Sequence, residues 1–555
     1  MSRFSLLTKC ALVLSSAALL AGAFQGKPEV QTKPEERAKP AVEEKKASIE
    51  GTVVDAASGK PLKDVSLMLM GAAAAGSPSA ATSNEAGHFS IKNLEAGSYM
   101  LFATHPRYAR QMYGSRDGLM GGTRLAIAAG QELREIIFKL QPNSVISGKV
   151  VDEEGEPLKD VMVSALKSIY QRGRRQQVPV GTATTNDLGE FRVGNLAQGK
   201  YLVAAMMMKQ GGGTPAQDGT ESGYLTTFYP NSPEASGAAT VSVGAGTETG
   251  GTDIRLIKTK AVRVKGKVMG MTAGQRLTVR LFPKDGGVLG LISARSASVK
   301  PTDGSFEIAA VTAGTYELRA MDLSAFRAAS PGTPLEVRER PVEGLIVEVV
   351  QAPDVNGEIL LDGEQNPKPS FKAQRIYLES LDGLTTMPPM TNAAEDGTFQ
   401  LKAVPKGKYF VRVMPAPDGS YVSAITFGDQ KMGEDGLEIG AAGTAKLEIK
   451  LRPAAAQVEG AVQDTEGKPV PGVTVALIPK SKSYLLYQAA MTDQKGTFSF
   501  KSVTPEDYLL LALDGGEPGS FYDPEFVKPF ESKGEKITLK ENDRKGVTLK
   551  LISKD

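Results

Sequence analysis

Apolar and polar residues alternate along most of the chain in short runs, and the same few runs return five times. Period-two alternation predicts strands with one buried face, because successive side chains of a strand point to opposite sides. The returning runs predict a repeated all-β unit. Each copy begins with a strand that carries a glycine, at Gly51, Gly148, Gly266, Gly357 and Gly460.

A second landmark, Gly-x-Phe, follows each of these opening glycines by 36 to 41 residues. A tyrosine follows every one of its phenylalanines by ten residues. We interpret each pair as core aromatics of one hairpin, and we expect the glycine before the phenylalanine to take positive φ in a turn. The five pairs are Phe89 and Tyr99, Phe191 and Tyr201, Phe306 and Tyr316, Phe399 and Tyr409, and Phe498 and Tyr508.

Each copy closes with another alternating strand, and the next opening glycine lies seven to ten residues beyond it. The length of a copy and its many Gly, Pro and Asp turns are typical of a β-sandwich. We call the copies modules 1 to 5. Their predicted boundaries are 48–142, 143–259, 260–351, 352–453 and 454–555.

Residues 1–23 have the pattern of an export signal, with a basic start, an apolar run and small residues up to Ala23. Residues 24–47 combine three prolines with mixed charges, which predicts a solvated linker. We therefore expect an exported protein, periplasmic or extracellular. No other run approaches the roughly 20 apolar residues of a membrane helix, so we expect no transmembrane anchor in the mature chain.

Composition excludes several kinds of chemistry. The chain has 65 Lys plus Arg against 63 Asp plus Glu, and this balance lacks the positive field that nucleic-acid binding requires. Its one cysteine, Cys10, lies in the predicted signal, and its two histidines are His88 and His105. We interpret His88 as an exposed strand residue and His105 as a surface-loop residue. A zinc site, a histidine base or a cysteine nucleophile has too few residues to form, so we expect no enzyme, no metal and no cofactor.

The strings GxVxDxxGxPLxxVxV and TxxxGxFxIxxLxxGxYxLxA resemble the carboxypeptidase regulatory-like domain. The resemblance is strongest in modules 1, 2 and 5, whereas modules 3 and 4 lack the GxPLxxV turn. It implies a seven-stranded, prealbumin-like β-sandwich, often grouped with carbohydrate-binding-like folds, and a non-catalytic accessory role. The predicted fold is therefore a tandem array of five such sandwiches behind a signal peptide and linker.

Aromatic residues of the loops are the candidate ligand contacts, because their faces can stack on sugars or on partner side chains. The alternative is that they fold back and pin their own loops. The run QRGRRQQ is a candidate basic patch that either grips an anionic partner or, as we favour, forms a solvated hairpin tip. These residues are Tyr108, Tyr113, Phe228, Tyr229, Tyr421, Phe521 and Tyr522 for the aromatics, and Arg172, Arg174 and Arg175 for the patch.

The leading functional hypothesis is an exported, non-enzymatic scaffold or binding protein, with a cell-surface glycan or an envelope protein as its partner. Several weak sites on different modules could then act together. The first alternative is a carbohydrate-binding protein with a defined sugar site on the loops of one or two modules. A more remote alternative is a carboxylate-based hydrolase or a protein accessory to a peptidase. We expect no nucleic-acid partner.

Overall fold

The computed structural model describes residues 45–71, 79–115, 121–171, 174–208, 220–272, 274–284, 286–322, 327–328, 330–350, 352–363, 369–381, 388–416, 419–439, 445–515 and 517–553. The predicted export signal, nearly all of the predicted linker and Arg172 lie outside these residues. The described chain is built almost entirely of strands, so the all-β prediction is confirmed.

The strands of module 1 are β1 (Ala47–Asp55), β2 (Ser66–Gly71), β3 (Ser79–Thr82), β4 (His88–Leu94), β5 (Gly97–His105), β6 (Tyr108–Met112), β7 (Leu125–Ile127) and β8 (Glu132–Leu140). Those of module 2 are β9 (Ser144–Val151), β10 (Val161–Gln171), β11 (Arg174–Thr184), β12 (Glu190–Leu196), β13 (Gly199–Met207), β14 (Thr220–Tyr224), β15 (Thr227–Phe228), β16 (Val241–Val243), β17 (Glu248–Thr249) and β18 (Ile254–Arg255). Module 3 has β19 (Lys258–Met269), β20 (Leu277–Pro283), helix α1 (Gly287–Ser293), β21 (Arg295–Ser298), β22 (Ser305–Thr312), β23 (Gly314–Asp322), β24 (Arg327–Ala328), β25 (Thr333–Val337) and β26 (Val342–Glu348).

Module 4 has β27 (Val355–Leu361), β28 (Arg375–Ser380), β29 (Met390–Asn392), β30 (Thr398–Leu401), β31 (Gly407–Met414), β32 (Tyr421–Phe427), β33 (Gln430–Lys431), β34 (Leu437–Ile439) and β35 (Leu447–Arg452). Module 5 has β36 (Ala456–Gln463), β37 (Thr474–Pro479), β38 (Gln488–Met491), β39 (Thr497–Val503), β40 (Asp507–Asp514), helix α2 (Pro524–Val527), β41 (Glu535–Thr538) and β42 (Arg544–Ser553). Short 3-10 helices occupy Ala235–Gly237, Tyr484–Leu486, Ser520–Tyr522 and Lys528–Lys533.

Module 1 shows the sandwich plan in its simplest form. Its first strand, β1, pairs antiparallel with β4 and parallel with the closing strand β8. In the second sheet β2 pairs with β3 and β5, and β5 also pairs with β6 and β7. Alternate residues of both sheets, such as Ile49, Leu67 and Phe138, are buried between them. The other four segments each have a core cluster of the same kind.

The Gly-x-Phe strand and the tyrosine strand do not form the hairpin that we expected. Phe89 lies in β4 of the first sheet and Tyr99 in β5 of the second, so the chain crosses the sandwich between them. A spacing of ten residues fits this crossover as well as a hairpin. The prediction of core aromatics holds, because all five phenylalanines are buried and the tyrosines pack on the same cores.

The glycine before each of these phenylalanines has φ between 70° and 92°, as the turn sequence predicted. The tyrosine that follows makes the same hydrogen bond in every module, since its hydroxyl donates to the carbonyl oxygen four residues earlier. The distances are 2.5–2.9 Å. This bond fastens the crossover between the two sheets. The accepting residues are Glu95, Ala197, Thr312, Pro405 and Thr504.

Removing this tyrosine hydroxyl from one module should lower the stability of that module alone. Tyr508→Phe deletes the 2.8 Å bond to the Thr504 carbonyl and should cost about 1 kcal/mol of local stability. Hydrogen exchange should therefore accelerate in peptides of module 5 alone. Tyr201→Phe should do the same in module 2 and leave module 5 unchanged, and equal protection in the wild type and both variants would contradict the structural role.

Modules 2 and 3 are connected by strand pairing and by side-chain contacts. β14, which lies within the predicted boundaries of module 2, pairs antiparallel with β19 of module 3. Glu221 of β14 also forms an ion pair with Arg263 of β19. Leu289 of helix α1 packs in one apolar cluster with Phe228 of module 2.

Module 5 contacts modules that lie far from it in sequence. The side chain of Gln494 accepts a hydrogen bond from the Ala126 amide of module 1 at 3.1 Å and donates one to the Ala126 carbonyl at 2.9 Å. The main-chain N–H of Tyr170 in module 2 donates to the Pro518 carbonyl at 2.7 Å. The modules therefore make contacts beyond those between sequence neighbours.

Candidate functional site

Tyr108, one of the two candidate aromatics of module 1, lies at a junction with module 2. Tyr108 begins β6 and donates its hydroxyl to the Asp55 carboxylate at 2.8 Å. The pKa of Asp55 lies below its usual value because that carboxylate accepts bonds from the Ser58 amide and from Tyr108. His105 packs edge-on against Tyr108, with ring centroids 5.2 Å apart. Tyr113 instead contacts the core ring of Phe138 and pins its own loop.

A cleft of about 600 Å³ lies between modules 1 and 2 at this point. His105 and Tyr108 form its wall in module 1, and module 2 contributes Lys167, Asn195 and Tyr201. The Lys167 ammonium lies 5.3 Å from the centre of the Tyr201 ring. Burial lowers the pKa of His105, so its ring is neutral near pH 7. We call this surface the junction cleft.

The chain that joins the two modules makes hydrogen bonds to both of them beside the junction cleft. Asn143 donates its main-chain N–H to the Arg107 carbonyl at 3.1 Å and its side-chain amide to Asn195 at 2.9 Å. The cleft thus combines aromatic edges, an amide and an ammonium in a concave surface, which is the arrangement of many small-ligand sites. Of the sequence candidates it includes Tyr108. His105, interpreted from sequence as a surface-loop residue, also lines it.

Three of the other candidate aromatics are buried at junctions or in a core. Phe228, Phe521 and Tyr421 expose only 6%, 7% and 8% of their surface, so a ligand cannot reach their rings in this structure. Phe228 fills the contact with module 3 described above. The Tyr421 hydroxyl donates to Glu541 of module 5 at 3.1 Å. Tyr229 packs against the core of module 2.

Tyr522 belongs to an aromatic cluster that joins module 4 to module 5. Its ring centroid lies 5.2 Å from that of Tyr484, which stacks in turn on Phe410 of module 4 at 5.4 Å. The guanidinium of Arg412 lies 4.8 Å from the centre of the Tyr484 ring. Burial in this cluster raises the pKa of Tyr522 to about 12. Tyr522 therefore serves the junction, and Phe521 packs against its ring from within module 5.

The basic run QRGRRQQ of module 2 contacts module 5 through one of its arginines. Arg175 forms an ion pair with Glu517, and its Nε donates to that carboxylate at 2.9 Å. Arg174 is exposed on β11. Arg175 thus already has a partner within the chain.

In the part of the chain that the structure describes, one group of three acidic side chains converges, namely Asp152, Glu153 and Glu154. The Lys258 ammonium lies 2.8 Å from Glu153 and 3.9 Å from Glu154. A cation of the protein therefore already offsets one of the three negative charges of this cluster. Among the described helices, none has the length and apolar character to cross a bilayer.

Comparison with protein families finds the carboxypeptidase regulatory-like domain at residues 48–141 and 457–551. These ranges correspond to modules 1 and 5. No curated protein matches the chain significantly.

The chain is also similar to solved structures of bacterial proteins. A minor pilin of Streptococcus agalactiae is 13% identical with a TM-score of 0.23, over 38% of this chain and 96% of that one. The TIE protein of Bacillus anthracis is 12% identical with a TM-score of 0.15, over 74% of each chain. The major pilin subunit of Bacillus cereus is 10% identical with a TM-score of 0.14, over 55% and 99%. Scores of this size support no inference about function.

Proposed function

We propose that the protein is an exported, non-enzymatic scaffold that holds several binding surfaces at fixed positions, and the match of modules 1 and 5 to the carboxypeptidase regulatory-like domain supports this. The observation that carries the proposal is the set of contacts between module 5 and modules 1, 2 and 4. Fixed junctions avoid the ordering cost that a flexible string would meet on binding, so weak sites on different modules can act together.

The repeated residues support the same proposal. Each recurring phenylalanine and tyrosine serves a core or a crossover between sheets. What differs among the modules is the loops and junctions, which is where recognition usually resides on a rigid scaffold. We place the protein in the periplasm or outside the cell because its first 23 residues have the pattern of an export signal.

A crosslinking pull-down from native cell envelopes tests this proposal. The full mature chain should recover a specific envelope protein or glycan. A variant in which module 5 no longer docks should recover much less, because the separate sites then lose their fixed spacing. Equal recovery by the wild type and the undocked variant would contradict the scaffold mechanism.

The junction cleft favours a second candidate function, the binding of a saccharide. Its Tyr108 and His105 edges can contact a sugar face, while Asn195 and Lys167 can bond hydroxyl or carboxylate groups. The cleft is formed by two modules, so such a site would depend on their junction.

A glycan array separates the two functions. We expect any saccharide signal to disappear in the double variant His105→Ala and Lys167→Ala. The matched control is His88→Ala with Lys92→Ala, which removes the same residue types from exposed positions of β4. Absence of any signal with the wild type counts against sugar binding and leaves the scaffold proposal standing.

A further inference from the structure

Module 5 is apolar on both faces of the part of its sheet that β37 and β40 form. The inner face packs into the core of the sandwich, and the outer face forms a separate cluster that includes Ile478, Leu511 and Phe521. The segment with helix α2 and the 3-10 helix Lys528–Lys533 supplies Val527 and Phe530 to this outer cluster. An insertion between two strands therefore covers the sheet from outside.

The cover is incomplete, and a cavity of about 450 Å³ lies between the insertion and the sheet. Ile478 of β37 lies opposite Leu509 of β40, and Leu509 lies opposite Lys536 of β41, so all three side chains share the outer face. Tyr487 and Val527 complete the apolar walls. We call this the module 5 cavity.

The next residues along these strands on the outer face are polar, and their two opposite charges cancel. The Asp507 carboxylate accepts a hydrogen bond from Thr538 at 2.6 Å and pairs with the Lys480 ammonium at 3.0 Å. These two contacts lower the pKa of Asp507, so the pair stays charged and mutually compensated near pH 7. The other charged residues that line the cavity are Lys482, Lys536 and Glu531, which leaves an excess of one positive charge.

We propose that the module 5 cavity binds an amphipathic anion, an acyl chain that ends in a carboxylate. The apolar walls remove the chain from water, and the excess positive charge of Lys482 and Lys536 attracts the carboxylate. The volume falls within the range of small-molecule sites, and mostly apolar walls with a few polar groups at the rim are typical of them. This binding activity is separate from the scaffold function and does not depend on it.

Calorimetric titration of the full chain with dodecanoate and with dodecanol tests the proposal. We expect dodecanoate to bind about five- to tenfold more tightly than the uncharged alcohol, since each exposed charge contact adds a modest amount. Lys482→Ala with Lys536→Ala should remove this preference and leave the alcohol affinity unchanged. Lys501→Ala with Lys545→Ala, two exposed lysines elsewhere in module 5, should change neither affinity.

Filling the cavity should abolish the binding of both ligands. Leu509→Trp places an indole in it, and because the natural chain has no tryptophan, a blue-shifted emission reports that the ring is buried in a folded module. Should this variant fail to fold, Lys536→Glu still tests the proposal, since it should weaken dodecanoate alone. No binding by the wild type, equal affinity for acid and alcohol, or full binding by a folded Leu509→Trp variant would each overturn the proposal.

Discussion

Gly460→Ala should destabilise module 5 by about 3 kcal/mol or more, whereas Gly546→Ala should leave its stability almost unchanged. A Cβ atom at Gly460 would lie 2.0 Å from the Val547 carbonyl oxygen and 2.9 Å from the Phe498 ring. The carbonyl belongs to the paired closing strand, so it cannot move without breaking the ladder. Gly546 lies in that same strand, and a Cβ there meets nothing within 4 Å.

Thermal unfolding and hydrogen exchange of module 5 peptides check this pair of variants. Gly460→Ala should lower the first unfolding transition and expose β36 and β42, with modules 1 to 4 unaffected. The Gly546→Ala control carries the same added methyl group. A difference between the two variants therefore comes from the position of the methyl group and not from the substitution type. Similar exchange in the two variants would mean that the close approach of the strands is not required.

The same close approach explains why a glycine opens every module. A Cβ would lie 2.3 Å from the Ile136 carbonyl at Gly51 and 2.3 Å from the Thr252 carbonyl at Gly148. At Gly266 and Gly357 the corresponding carbonyl oxygens lie 2.5 Å away. The first strand lies between its antiparallel partner and the closing strand, and only a residue without a side chain fits there.

The features predicted from sequence are those that a short stretch of chain determines. Alternation marked the strands, and the turn glycines have the positive φ that their sequence indicated. The hairpin prediction was wrong because a spacing between two aromatics does not say whether the strands that carry them pair or face each other. Pairing between modules gave no local signal either, since β14 lies within the predicted boundaries of module 2 but pairs with β19 of module 3.

The candidate site residues show the same contrast between local features and contacts between distant segments. Tyr108 was found because it is an aromatic in a loop, but Lys167 and Asn195 belong to another module and gave no local signal. Phe521 looked like a loop contact for the same reason, although it packs under an insertion. The module 5 cavity did leave a sequence signal: the apolar run Leu509–Ala512 in β40 is typical of a strand that is buried on both faces.

Gly519→Val should release module 5 from module 2. A Cβ at Gly519 would lie 2.3 Å from the Tyr170 carbonyl oxygen, and the residue has φ of 78°. The docking that opposes this overlap includes the Tyr170 hydrogen bond to Pro518, the ion pair between Arg175 and Glu517, and a side-chain hydrogen bond between Tyr170 and Asp523. Hydrogen bonds and exposed ion pairs of this kind contribute about 1 kcal/mol each, so they cannot hold two backbones in overlap.

The nearby Gly515 provides the matched control. It has φ of 74°, so Gly515→Val carries the same backbone strain, but a Cβ there meets nothing within 4 Å. Small-angle scattering should show a larger radius of gyration for Gly519→Val alone, and the Tyr170 amide should exchange rapidly once its partner carbonyl has left. If both variants scatter like the wild type and the Tyr170 amide stays protected, modules 2 and 5 do not depend on this contact. Release without loss of the module 5 fold would identify the Gly519 turn as the element that fixes the spacing of the scaffold.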